Sequence, residues 1–198
     1  MGYTAKELSP ATFSDFSKVA VKQGGCWCTY YQRSRPVGKG PTTAERIRRN
    51  RNDKRAWVIE GRAHAILVYD GATPVGWCQY GKCDELPRID AGRNYKRVAP
   101  QGDRGRLWRI TCFFVDRHFR GKGVSKFALA EALKTIACQG GGTVEAYPVV
   151  SAGMLAVPEW RWFGTRGMFE KEGFKEVAKL GSSAVLMRKT IAASRRPS

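Results

Sequence analysis

Between residues 64 and 82 the chain reads HAILVYDGATPVGWCQYGK. Two runs rich in β-branched and aromatic residues flank the polar stretch Asp70 to Pro74, which predicts a β-hairpin. "LWRITCFFV" (107–115), "TVEAYPVV" (143–150) and "SSAVLMRKT" (182–190) predict further strands. Helical spacing is found elsewhere. Phe13, Phe16, Val19 and Ala20 share one helical face, with Ser9-Pro10 placed as cap and first turn and Gly24-Gly25 as stop. Thr42 with Glu45 forms a capping-box pair for a second, basic helix reaching about Arg55. Leu129, Ala132, Leu133 and Ile136 mark a third helix, stopped by Gly140 to Gly142. "TRGMFEKEGF" (165–174) predicts a short fourth, closed by Gly173. Residues 26–41 and 84–106 carry neither period and are expected as a loop and an irregular insertion. Two helices, two strands, then strand, helix, strand, helix, strand describe one mixed α/β domain without internal repeat or linker.

Where the third strand meets the third helix, the pattern is interrupted by "DRHFRGKGVSK" (116–126). A turn needs a glycine or two; it does not need cations interleaved with them. Strand, glycine-rich turn and helix together make an anion site. The first N–H groups of a helix lack intrahelical partners, and the helix dipole adds partial positive charge there. Gly121 and Gly123 let a phosphate reach the backbone, while Arg120, Lys122 and Lys126 supply mobile charge. The Walker pattern is excluded because Lys122 is followed by glycine. The Rossmann pattern is excluded because no glycine stands three residues beyond Gly123.

Composition narrows this further. At 198 residues and 42% hydrophobic content the chain can bury a core. No apolar run is long enough for a membrane span, and the N-terminal residues lack the apolar stretch of a secretory signal, so the expectation is a cytoplasmic protein with no membrane partner. The six cysteines do not have zinc spacing: Cys26-Trp27-Cys28 is too tight, and His64 and His118 are the only imidazoles, so no metal is expected. Cys112 and Cys138 fall in segments with core character. The formal net charge of +18 predicts attraction to polyanions. Residues 33–55 hold nine lysines and arginines against Glu45 and Asp53, and residues 86–109 hold seven against Asp90 and Asp103. These segments describe either a solvated basic face or a surface for an acidic partner.

"FFVDRHFRGKGVSKFAL" resembles the acetyl-CoA signature of the GNAT acyltransferase superfamily, in which Arg or Gln is followed, after two intervening residues, by Gly and, after one more intervening residue, by Gly or Ala. Arg120, Gly123 and Ser125 hold those positions, with Ser125 a small departure. The preceding hairpin, the "VEAYPV" strand and "MFEKEGFKEV" follow in the family's order, so the resemblance spans roughly residues 5–190. The Cys-Trp-Cys loop is similar to that of a cysteine-bearing bacterial branch. The resemblance implies an α/β (α+β) fold with a mixed central sheet of about six to seven strands, splayed between the fourth and fifth, and helices on both faces. It implies a single N-acetyltransferase domain over 1–190, with 191–198 a basic disordered tail. The fourth and fifth strands would be 108–115 and 143–148.

It also implies a site. Acetyl-CoA is the expected cosubstrate, its pantetheine arm along the backbone of Phe114 and Val115. Its pyrophosphate is expected on Arg120, Gly121, Lys122, Gly123, Val124, Ser125 and Lys126. The first two helices and their loop would build the acceptor side, with Cys26, Trp27 and Tyr30 as candidates for substrate contact or for packing over the core. Direct transfer requires a base for the ammonium of the acceptor and an acid for the leaving thiolate. Many family members place a tyrosine where this chain has Phe169, which carries no proton. Strand alternation puts Glu145 and Tyr147 on one face; they are the candidate base and substitute acid, with Glu85 in reserve. The alternative is that Glu145 pairs with a basic neighbour and Tyr147 packs. The implied acceptor is an amine-bearing small molecule or protein, with nucleic acid possible but not required, and the enzyme a monomer or homodimer. A second reading is a non-catalytic protein of the same fold that binds nucleic acid or another polyanion through its basic face.

Overall fold

The hairpin predicted by the two β-rich runs is the centre of the sheet. In the computed structural model, which describes residues 2–35, 42–102, 104–156 and 162–194, β2 (His64–Asp70) and β3 (Thr73–Lys82) pair antiparallel across Gly71-Ala72. Both strands are buried along nearly their whole length, because helices cover both faces of the sheet. The remaining strands are β1 (Thr4–Glu7), β4 (Leu107–Val115), β5 (Gly142–Ala146), β6 (Lys175–Lys179) and β7 (Val185–Ile191). They complete a seven-stranded mixed sheet in the order β1-β2-β3-β4-β5-β7-β6. β4 and β5 are parallel. Part of the 26–41 loop (36–41), Asp103 and the end of the basic tail (195–198) lie outside the described residues.

The helices are α1 (Phe13–Ala20), α2 (Thr43–Ile59), α3 (Arg93–Lys96), α4 (Val124–Cys138), α5 (Ala152–Ala156) and α6 (Arg166–Lys171). α4 lays Ala128, Leu129, Ala132, Leu133 and Ile136 on one face of the sheet, against Ile66, Val68, Trp108, Ile110, Val144 and Ala146. α1 lays Phe13, Phe16, Val19 and Ala20 on the other, against Leu67, Tyr69 and Trp77. α1 starts at Phe13, later than Ser9-Pro10 predicts, because Ser9 and Thr12 close a turn of their own: Thr12 N–H donates to Ser9 O, and Ser9 N–H to Thr12 Oγ1. Thr42 caps α2 as expected, accepting from Glu45 N–H, and the helix runs four residues past Arg55. The insertion contains a 3₁₀ turn at Pro87–Ala91 and the short α3.

One irregularity positions everything that follows. Along β3 and β4, Gln79 pairs with Cys112 but Tyr80 pairs with Ile110, so Thr111 is an extra residue, a β-bulge. The bulge reverses the alternation of β4. Trp108 and Ile110 face α4, and so does Phe113, whereas Cys112 and Phe114 face α1. The parallel ladder with β5 ends at Ile110↔Ala146, one residue before the bulge.

At the start of β5, Gly142 has φ +131, and a Cβ there would strike the carbonyl oxygen of Arg106. Neither group belongs to a flexible side-chain end. Gly142→Ala is therefore expected to destabilise the fold by roughly 1–3 kcal/mol, lowering the melting temperature by several degrees. Calorimetry showing an unchanged melting temperature would contradict this close approach.

Candidate active site

Past Ile110 the ladder between β4 and β5 ends, and among the described residues no strand pairs with that side of β4. This edge runs from the buried Cys112 and Phe113 through the half-buried Phe114 and Val115 into Asp116, whose carboxylate caps the 3₁₀ turn Arg117–Phe119 by accepting from His118 N–H at 3.0 Å. Asp116 also holds Lys22 at 2.6 Å, tying the end of the first helical segment to this turn. Gly121 and Gly123 follow with φ +77 and +85, and Gly123 is the N-cap of α4 with no side-chain cap. A Cβ at either glycine would meet nothing within 4 Å. The glycines are there for the left-handed turn and for the open space beside it.

The structure thus brings Phe114, Val115 and residues 120–126 together at one end of the sheet. Arg120, Lys122 and Lys126 are exposed around the uncapped helix start, and Arg120 Nε reaches back to Val115 O at 3.4 Å. An extended polar chain ending in a pyrophosphate fits these features. The strand edge offers backbone pairing, and the helix start offers N–H groups and charge for the anion.

The predicted proton-transfer residues are placed less simply. Tyr147 follows the last paired residue of β5 and is 6% exposed. Its hydroxyl donates to Glu145 Oε2 at 2.8 Å, and burial pushes its pKa well above the usual value. Glu145 is fully buried. Oε2 also accepts from Tyr95 at 2.7 Å, and Oε1 accepts from Arg188 Nε and pairs with its terminal nitrogen, both at 2.8 Å. A carboxylate has about four acceptor positions; all are taken here, and Arg109 stands a further 4.0 Å away. The expectation of Glu145 as an open base therefore meets a saturated carboxylate, lying under Tyr95 of the insertion. Glu85 lies toward β2, held by His64 Nε2 at 3.1 Å and Lys82 N–H at 2.8 Å. Burial pushes its carboxyl up, but the contacts with His64 and Lys82 together outweigh this and hold it below its usual range. Phe169 is buried against Phe113 and Phe174.

On the acceptor side, Trp27 is core: it stacks on Phe13 and meets Phe16 edge-on. Cys26 is half-buried and Tyr30 is 51% exposed, with the Arg88 guanidinium 4.0 Å over its ring. Tyr31 meets Phe163 edge-on and accepts Arg88 N–H on its carbonyl. The loop, the insertion and the segment before α6 therefore converge at this rim. Sequence reading missed Tyr95 because the 84–106 insertion has no period, and Arg109 and Arg188 because a charged residue within the strand patterns of β4 and β7 carries no local sign of its buried partner. It also missed Gln79 and Lys54, polar residues on buried faces. A separate cleft of about 870 Å³ lies at the opposite end of the β4/β5 pair, among Arg106, Lys175 and Lys189. It is far from the point where the β4/β5 ladder ends. Among the described residues no group of His, Cys, Asp and Glu is arranged to hold a metal ion, and no helix is long and apolar enough to cross a membrane.

Comparison with known proteins bears on this geometry. The acetyltransferase (GNAT) family profile matches residues 25–164. A putative acetyltransferase of that family from Desulfovibrio desulfuricans aligns over 96% of this chain and 100% of its own, at 14% identity and TM-score 0.57. A phosphinothricin acetyltransferase from Sinorhizobium meliloti, solved with acetyl-CoA, aligns over 97% and 90%, at 15% and 0.53. The ribosomal-protein-S18-alanine N-acetyltransferase of Escherichia coli aligns over 98% and 96%, at 10% and 0.52. Comparison with curated proteins returns no match.

Glu145→Gln removes the negative charge that faces Arg188 and Arg109. The expected result is a loss of stability of roughly 3 kcal/mol or more, the cost of leaving buried charge uncompensated. Denaturant titration giving wild-type stability would mean that the carboxylate is not the hub of this cluster.

Proposed function

Because this chain belongs to the acetyltransferase (GNAT) family, we propose that it transfers an acetyl group directly from acetyl-CoA to a primary amine. The observation that carries the cosubstrate assignment is the continuous surface from the unpaired edge of β4 beyond the Thr111 bulge to the uncapped start of α4. The pantetheine arm lies along Phe114 and Val115, and the pyrophosphate rests on the N–H groups from Gly121 to Lys126, with Arg120 and Lys122 closing over it. Support comes also from the Sinorhizobium structure with acetyl-CoA and from an N-acetyltransferase of Thermoplasma acidophilum solved with coenzyme A.

The amine enters from the rim formed by Tyr30, Tyr31 and Arg88. The outward arginines of α2, Arg46, Arg48, Arg51 and Arg55, are exposed and favour an acceptor with acidic surroundings. Tyr147 is the residue that exchanges protons at the reacting atoms, and Glu145 is its positioning residue. Burial keeps Tyr147 protonated; its one proton, held on Glu145 before reaction, turns to the leaving thiolate as the C–S bond breaks, and solvent returns a proton to the phenolate. The amine loses its proton to water at the rim.

Gly123→Asp places bulk and negative charge where the pyrophosphate rests, so acetyl-CoA binding should be abolished. Titration calorimetry finding wild-type affinity would refute the cradle. Tyr147→Phe keeps the ring packing but removes the hydroxyl. Turnover, followed by thiol release, should fall by roughly 10²-fold or more while the KM for acetyl-CoA stays near wild type. Full turnover across neutral to alkaline pH would assign both proton transfers to solvent.

A further inference from the structure

Behind the acceptor rim, two thiols from distant parts of the chain meet. Cys28 of the α1–α2 loop and Cys112 of β4 are 84 residues apart in sequence, and their Sγ atoms are 2.9 Å apart. The approach is built from several sides. Cys112 is the residue after the bulge, which turns it toward α1. Trp27 and Cys28 have φ values of +56 and +48, a left-handed backbone that bulky L-residues rarely adopt and that persists only where surroundings enforce it. The surroundings are visible: the Cys28 carbonyl accepts from Gln79 Nε2 at 2.9 Å and from the buried Lys54 ammonium at 3.4 Å.

Donors also converge on the sulfurs. Trp77 Nε1 donates to Cys28 Sγ at 3.3 Å, and Gln23 Nε2 lies 3.9 Å from Cys28 Sγ and 3.8 Å from Cys112 Sγ. Burial opposes ionisation of Cys28, but the contact with Cys112, the charge of Lys54 and the Trp77 and Gln23 donors outweigh it and hold this thiol below its usual range. The same contact with Cys28, together with burial, pushes Cys112 up. A thiol of lowered pKa in contact with a second thiol is the arrangement that peroxide chemistry uses. Cys78 provides a contrast within the same protein. It is fully buried in the apolar core, its sulfur reaches the Gln79 carbonyl at 3.9 Å, and burial pushes its pKa well up. Cys28 and Cys112 are both buried, at 4% and 7% exposed.

We propose that Cys28 and Cys112 form a reversible disulfide when the protein meets a hydroperoxide. The Cys28 thiolate attacks the terminal peroxide oxygen; the O–O bond breaks and the alcohol departs after taking a proton from solvent. Cys28 is left as a sulfenic acid. Cys112 then gives up its proton and attacks the Cys28 sulfur; the S–O bond breaks, and the hydroxide leaves with that proton as water. The two sulfurs together lose two electrons and the peroxide gains them. The bond pins the α1–α2 loop to β4 beside the bulge, and a dithiol releases it. The assignment is independent of which acyl group or acceptor the protein uses.

The test treats the full-length protein with a slight excess of hydrogen peroxide, then denatures it, alkylates remaining thiols and maps peptides by mass spectrometry. The expected product is a Cys28–Cys112 crosslink that dithiothreitol reverses, with Cys78 alkylated throughout, and an upward shift in melting temperature before reduction. Cys26→Ser should keep the crosslink, whereas Cys28→Ser and Cys112→Ser should lose it. Recovery of both cysteines in alkylated form, a crosslink through Cys26, or sulfinic acid at Cys28 without a crosslink would each overturn the proposal. The wild-type and Cys26→Ser maps decide the matter even where the other variants fold poorly.

Discussion

The extra residue at Thr111 is the constraint on which the rest depends. A strand that keeps perfect alternation beside a parallel neighbour continues its ladder, and every side chain beyond a given point has a fixed face. One inserted residue changes both outcomes in β4. It ends the pairing with β5 at Ile110↔Ala146, which opens the edge of Phe114 and Val115. It also reassigns the faces, sending Phe113 to the α4 side and Cys112 to the α1 side. Without it a benzyl ring and a thiol would exchange surroundings.

The bulge is held by polar groups in the interior. Thr111 Oγ1 donates to Gln79 Oε1 at 3.2 Å, and Gln79 Nε2 bonds the carbonyl of Cys28. Gln79 and Lys54 both reach Gln32, so strand, loop and α2 share one network. Such a network is costly when incomplete and specific when satisfied. Burial pulls Lys54 down to about 8, which measures how far this ammonium has been taken from water. α2 illustrates the result. Its buried positions are Asn50, Lys54 and Val58, spaced by four, so the stripe facing the protein is mostly polar. Asn50 bonds Gly25 O and accepts from Arg33, and Arg33 pairs with Asp53. Part of the basic segment is thereby structural, and among its described residues the outward arginines remain for a partner.

These details explain what was legible in the sequence. The hairpin, β4, β7 and the apolar stripe of α4 were readable because a hydrophobic period marks any element whose buried side is apolar. β1 and β6 were not, since "TAKE" and "KEVAK" are edge strands, largely exposed, with no alternation to detect. The glycine-rich turn announced itself through positive-φ residues beside cations, and alternation placed Glu145 and Tyr147 on one face. The partners that saturate Glu145 come from the insertion and from β7, contacts that no local pattern encodes. Trp27 was readable either as a substrate contact or as packing over the core, and the left-handed turn at Trp27 and Cys28 folds it under α1.

Hydrogen exchange measured with and without acetyl-CoA tests the central claim most directly. If the bulge-opened edge and the start of α4 form the cosubstrate site, amides in Thr111–Val115 and Gly121–Lys126 gain protection when acetyl-CoA is added, while the cleft around Arg106, Lys175 and Lys189 exchanges as before. Protection confined to that cleft, with the β4 edge unchanged, would contradict the account.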